Sequence, residues 1–430
     1  MRRVRTFDIN HILNRGYQST SYFKVKHFFN VWGPGLIVML ADTDAGCLIT
    51  AAQSGAQWGY TMILLQILLI PVLYFAQEMT VRLGIVTKKG HGELIREYFG
   101  KKWAWISAGT LAISAIGALL TEFVGIAGVG EMFGISKWIT IPIATVLLIA
   151  IAFSGSYRHR RVEKVGVMIG LAELAFLVVV VMVKPQLGDM VRGIGTIPWH
   201  NSSYIYLVAA NVGAVIMPWM IFYQQGAVVD KNLGVESINK EKHDTFVGTL
   251  VTQGIMLTFV IAFAATMGLQ HQQVALETVS DLASGLSAFI GSYPAKLFTG
   301  MSLLGGSLVA ALVVALAGTW GVTEVLNWKH SLNEPLQKGS IGFYIIYCLA
   351  HIIGAILVLA NINLVNLAVS VEVMNALLLP IVLGFLLILE AKVLPEKYRM
   401  HGVYRWLVTV LCMVVMGFGL YMVGPIMGIW

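Results

Sequence analysis

From about residue 33 to residue 424 the chain runs in long apolar blocks separated by short polar gaps. A hydrocarbon layer about 30 Å thick is crossed by roughly 20 apolar residues in a helix. Eleven runs fit, near 33–56, 59–81, 103–133, 138–154, 163–183, 203–227, 247–268, 297–326, 342–360, 363–391 and 403–424. None shows the alternation of period two that a barrel strand requires, so the runs predict helices. Residues 1–30 lack an apolar core and mix His, Asn, Lys and Phe. They are expected to be a cytoplasmic lead-in rather than a cleaved signal peptide.

Charge placement tests this map independently. Lys and Arg collect in cytoplasmic loops. With the N-terminus inside and eleven crossings, only Lys137, Lys184, Arg192 and Lys296 of the 29 basic residues fall on the outer side. One missed crossing would invert every later loop, so N-in and C-out is the expected topology of a multi-pass plasma (inner) membrane protein. Composition agrees: 57% hydrophobic and 12% charged, against about 25% charged in soluble proteins. The net charge of +7 follows from this sorting and gives no reason to expect a nucleic-acid partner. Trp32, Trp103, Trp138 and Trp328 lie near span ends, where interfacial anchoring is expected.

Two spans carry internal interruptions. The first runs apolar to Leu40 and then meets Asp42-Thr43-Asp44-Ala45-Gly46-Cys47. Thr, Asp and Gly in series are poor helix formers, and a charge at that depth costs at least about 2.5–3.5 kcal/mol. Irregular backbone is tolerated there only against protein or a cavity. The sixth span holds Asn211-Val212-Gly213-Ala214-Val215-Ile216-Met217-Pro218-Trp219, where the proline frees the carbonyl of Ala214. A break in the first helix of each five-helix half points to an inverted-repeat transporter with its site between the breaks. The repeats are then about 31–183 and 203–391 within one membrane domain over 31–430, with 403–424 added. Asp42 is expected either to face an aqueous vestibule or to cap the second half-helix. Glu173 and His351 also fall inside spans, and for them ordinary core contacts are expected.

Other chemistry finds little support. No phosphate-binding loop, dinucleotide fingerprint, HExxH or hydrolase elbow is present, and no nucleophile lies beside a base. A transporter rather than an enzyme is expected, without a cofactor. Cys47, Cys348 and Cys412 all lie within predicted spans and share no metal-type spacing.

The motifs resemble those of the Nramp divalent metal-ion transporters. Gly33-Pro34-Gly35 and Asp44-Ala45-Gly46-Cys47 are similar to that family's G-P-G and D-P-G-N; Met217-Pro218-Trp219 is similar to M-P-H. Arg82-Leu83-Gly84 with Thr87, Thr121-Glu122-Phe123 with Gly125, Arg160-Arg161-Val162-Glu163-Lys164 and Ala317-Gly318-Thr319 follow in family order. The resemblance implies an all-α, LeuT-like fold and a metal site formed by Asp44, Met217 and the carbonyls of Ala41 and Ala214. Cys47 stands at the family's Asn and Glu372 at its tenth-span Gln, so both join the candidate ligands. Thr43, Trp219 and Asn375 would support them. Trp219 replaces a histidine and Leu119 an acid that the family associates with proton movement, which leaves coupling open. Glu122 and Asp42 are the remaining candidates for a proton or gating relay.

The expectation is therefore a monomeric secondary transporter whose substrate is a divalent metal ion of the Mn²⁺/Fe²⁺ type, since a thioether favours such ions over Mg²⁺. The alternatives are a magnesium-transporting relative of the family, with Glu372 holding a partly hydrated hard ion, and an amino-acid carrier of the same fold.

Overall fold

Helix after helix follows from residue 33 onward, and no strand occurs among the described residues, which in this computed structural model are 33–153, 158–268, 276–332, 340–360 and 364–426. The lead-in 1–30 and Trp32 lie outside them. In chain order the first half comprises α1 (Pro34–Asp42), α2 (Ala45–Trp58), α3 (Ile63–Thr87), α4 (His91–Phe99), α5 (Lys101–Met132), α6 (Lys137–Phe153), α7 (Arg158–Gly170), α8 (Phe176–Val183) and α9 (Leu187–Ile194). The second comprises α10 (Ser202–Val215), α11 (Pro218–Asp230), α12 (Ile238–Thr266), α13 (Val279–Ile290), α14 (Ser292–Leu326), α15 (Ile341–Leu359), α16 (Leu364–Val393) and α17 (Gly402–Ile426).

Every predicted span falls on helix apart from the breaks, with most ends shifted by a few residues and the start of the seventh by nine, to Ile238. Among the described residues nine helical stretches are long and apolar enough to cross a membrane. That count joins Ala45–Thr87 into one stretch and leaves Lys137–Phe153 among the shorter apolar helices, which is where it departs from eleven. Three helices escape the hydropathy pattern because they are short and amphipathic: α4, α9 and α13. Two carry local start signals. The backbone N–H of Gly90 donates to Glu93 Oε2 at 2.9 Å, and Thr278 and Asp281 cap one another at the start of α13. The predicted loop 228–246 is also partly helical, since α12 begins at Ile238.

Both predicted breaks are real and equally short. α1 ends at Asp42 and α2 begins at Ala45; α10 ends at Val215 and α11 begins at Pro218. Each interruption therefore spans two residues, Thr43–Asp44 and Ile216–Met217. The long helices α5 and α14 pack against each other, α1 and α2 lie along α12, and α10 lies along α16. The N-terminus of α1 is capped from a distance: the backbone N–H groups of Gly33 and Leu36 both donate to Asp244 Oδ2 at 3.1 Å. Trp103, Trp138 and Trp328 are all exposed, as belt residues would be.

A buried carboxylate cage between two broken helices

The first break is held open by side-chain chemistry. Asp44 takes extended backbone angles (φ −69°, ψ 173°) and its Oδ1 accepts from the backbone N–H of Cys47 at 2.7 Å, so it is the N-cap of α2. The cap falls to Asp44, not Asp42, which is the last residue of α1 and is buried. Glu122 of α5 completes the new N-terminus, its Oε2 accepting from the backbone N–H of Ala45 at 3.2 Å. Carboxylates at a helix start satisfy N–H groups that lack an intrahelical partner and complement the helix dipole.

The second break is held by proline and apolar packing. Ile216 and Met217 are extended, and Pro218 opens α11 at its first turn, where a missing N–H costs nothing. The freed Ala214 carbonyl accepts the Cys47 S–H at 3.1 Å, so the sulfur ties the two breaks together. Met217 Sδ accepts the indole N–H of Trp219 at 3.2 Å.

Glu372 arrives from α16. A Cβ placed on Gly213 would collide with the Glu372 carbonyl oxygen, so only glycine lets α10 come this close to α16. A Cβ on Gly46 would collide with Glu372 Oε1, which leans over the start of α2. Asn375 Nδ2 donates to Glu372 Oε2 at 3.0 Å, and Asn375 Oδ1 accepts from Ser114 Oγ at 2.7 Å, anchoring the acid to α5.

The result is a compact donor set. One ligand atom each from Asp44, Cys47 and Glu372 lie within 4.8 Å of one another, all three residues being buried. Asp44 Oδ2 and Glu372 Oε1 have no hydrogen-bond partner among the described residues, and neither does Asp42 Oδ1. Ala41 is buried in the last turn of α1. The structure thus brings Asp44, Cys47, Ala214 and Glu372 together, with Glu122, Thr43 and Asn375 bracing them. Met217 lies in the second break, paired with Trp219 in the first turn of α11.

Glu173 corrects the expectation of ordinary core contacts. It sits in a 3₁₀ turn, Leu171–Ala175, and its Oε2 accepts from the Thr43 hydroxyl, inside the first break. Its Oε1 is unpartnered. No sequence spacing could reveal this contact, because the residues are 130 apart. The acid in an otherwise apolar span was the available signal. His351 does pack in the core, its Nδ1 3.0 Å from the Tyr347 carbonyl oxygen and its ring edge-on to Phe123. Five buried carboxyl groups, those of Asp42, Asp44, Glu122, Glu173 and Glu372, therefore surround the breaks, and none forms an ion pair among the described residues.

A cavity of about 950 Å³ opens where α2 ends and α10 begins, with Gln53, Asn201, Tyr206 and Ser370 in its wall. Another of about 430 Å³ lies on the opposite face beside Glu324 and Trp328. Neither lining includes Asp44, Cys47 or Glu372, so protein separates both from the cage.

Comparison with known proteins bears on this geometry. The family profile described as Nramp, natural resistance-associated macrophage protein-like, matches residues 35–424. The divalent metal cation transporter MntH of Aeromonas hydrophila is 25% identical over 400 residues, which is 91% of this chain and 94% of that protein. MntH of Pectobacterium carotovorum is 26% identical over 314 residues, covering 71% and 74%. Among solved structures, the Eremococcus coleocola manganese transporter in complex with an aromatic bis-isothiourea substituted compound superposes with a TM-score of 0.73 at 15% identity, over 95% of this chain and 88% of that one. MhsT in complex with L-phenylalanine gives 0.55 at 12% identity, over 90% and 98%. At these identities the structures speak to the fold alone. With a family match over nearly the whole described chain and two broken helices in a LeuT-like arrangement, this chain belongs to the Nramp family.

Proposed function

We propose that the chain is a secondary transporter of divalent metal ions that works by alternating access. The observation carrying this reading is the cage itself: carboxylates of Asp44 and Glu372, the Cys47 sulfur and the Ala214 carbonyl meet at the two breaks, with one oxygen of each carboxylate buried and without a hydrogen-bond partner. Buried anions without counter-ions are costly unless a cation or proton joins them. A doubly charged ion balances Asp44 and Glu372. Ala41 and Met217 complete the ligand set, Met217 through the lone pair that its bond to Trp219 does not use. The curated relatives named as divalent metal cation transporters support this class of substrate.

The chain crosses the membrane eleven times in this reading, with α1–α2 and α3 as separate passes, α6 as a short one, and the repeats 31–183 and 203–391 rocking about the breaks. The N-terminus is cytoplasmic and α17 ends outside, in a monomer of the plasma membrane. Substrate of the Mn²⁺/Fe²⁺ type is favoured over Mg²⁺. Trp219 cannot carry a proton where the family resemblance expects a histidine, so transport is not tied to proton entry at that position.

Uptake into proteoliposomes tests this. Asparagine caps helices as well as aspartate does, so Asp44→Asn should keep α2 intact while removing the charge. Mn²⁺ uptake should fall at least about a hundredfold, equivalent to roughly 2.7 kcal/mol. Undiminished uptake, or uptake of an amino acid in place of the ion, would reject the site.

A further inference from the structure

We propose that Cys47 is the sulfur ligand that sets ion preference, ranking thiophilic ions such as Cd²⁺ and Zn²⁺ above Mn²⁺. The proposal rests on the reading of the cage as the ion site. Two sulfurs lie at the breaks, and the structure treats them differently. Met217 Sδ accepts the Trp219 indole N–H, so one of its lone pairs is engaged. Cys47 instead acts as a donor, its S–H pointing to the Ala214 carbonyl at 3.1 Å, which leaves the soft lone pairs of its sulfur open. Those lone pairs share a cluster no wider than 4.8 Å with the Asp44 and Glu372 oxygens, two of which are buried and unpartnered.

The spacing suits a compact tetrahedral site. Zinc bonds to sulfur and oxygen run about 2.0–2.3 Å, so neighbouring ligand atoms around such an ion sit about 3.3–3.8 Å apart. As the ion binds, Cys47 ligates as the thiolate and the proton it had donated to the Ala214 carbonyl is released to water; a contraction then brings three donors of this cluster and the Ala214 oxygen to that geometry. Mn²⁺ prefers six oxygen-type ligands, and here it would meet a cage with sulfur at one corner. The second half-helix fixes that corner, because Cys47 lies one turn after the Asp44 cap and its backbone N–H is held by Asp44. Cys348 and Cys412 lie on α15 and α17, and neither joins the cluster.

The test compares Cd²⁺ and Mn²⁺ in competitive uptake and follows Cd²⁺ binding by ultraviolet sulfur-to-metal charge-transfer absorption. Wild-type protein should prefer Cd²⁺ by tenfold or more and show the band. Cys47→Ser should lose the band and most of the preference, whereas Cys348→Ser and Cys412→Ser, both outside the cluster, should keep both; Cys47→Ala repeats the measurement independently. A wild type without Cd²⁺ preference, or an unchanged band and ranking in both Cys47 variants, overturns the proposal. If that happens while Asp44→Asn abolishes uptake, the ion site stands and only the role of Cys47 falls. Uptake that survives Asp44→Asn removes the site and the proposal together.

Discussion

Two groups of buried charge sit in this protein, and they are built on opposite principles. Toward the face where α1 begins, Arg82 is enclosed by acids: its Nε lies 2.7 Å from Glu78 Oε1 and its Nη1 2.8 Å from Glu390 Oε1 and 2.6 Å from the Tyr398 carbonyl oxygen. Lys242 adds a second cation at 2.6 Å from Glu78, and the Tyr404 hydroxyl donates to the same carboxylate at 3.1 Å. This network ties α3, α12, α16 and α17 together, and its charges are answered from within the protein. Around the helix breaks five carboxyl groups stand with no cation among the described residues. The difference teaches what each is for. A charge-balanced network holds helices, whereas a buried set of a single sign is costly until a cation or proton joins it.

That contrast can be broken by removing one charge from each group. Arg82→Met removes the cation paired with buried Glu390 and leaves Glu78 with Lys242 alone, and should destabilise the protein by about 3–5 kcal/mol, read as a large drop in thermal unfolding midpoint in detergent. Glu372→Gln should do the reverse without added metal. It relieves repulsion among the central acids and raises stability by about 1 kcal/mol, while weakening Mn²⁺ binding. A lower midpoint for Glu372→Gln would mean that the central acids are held as structural partners after all. Lys242→Met sharpens the comparison at its margin. Its side chain is 31% exposed, so its loss should cost no more than about 1 kcal/mol and should shrink as salt is added. A salt-independent loss of several kcal/mol would place Lys242 inside the network on equal terms with Arg82.

Much of this is legible in the sequence, for definable reasons. Span positions follow from run length, because a bilayer demands a fixed apolar thickness. The breaks follow from Asp, Thr and Gly clustered in one span and from a proline inside another, residues that disfavour a helix interior. Asp44 stands out because an acid at that depth is too costly to keep unless it meets an ion, a proton or a substrate. Contacts that depend on which helices become neighbours are not readable. Asp244 capping α1 lies 211 residues from Gly33, Glu390 pairs with Arg82 across 308, and Glu173 reaches Thr43 across 130. The choice of Asp44 over Asp42 as the α2 cap also emerges only in the folded chain. Two acids of the same type two residues apart differ only in where the helix stops. The short helices α4, α9 and α13 escape notice because hydropathy over a membrane-length window averages them away.

Whether the unpaired carboxylates at the breaks bind a divalent cation is tested most directly by calorimetric titration of the purified protein with Mn²⁺, beside Mg²⁺, Ca²⁺ and an amino-acid panel. Wild type and Asp44→Asn are run together. Saturable single-site Mn²⁺ binding is expected in the wild type and none in the variant, with no heat from amino acids. Equal Mn²⁺ binding by both proteins, or an amino acid binding where Mn²⁺ does not, would contradict it.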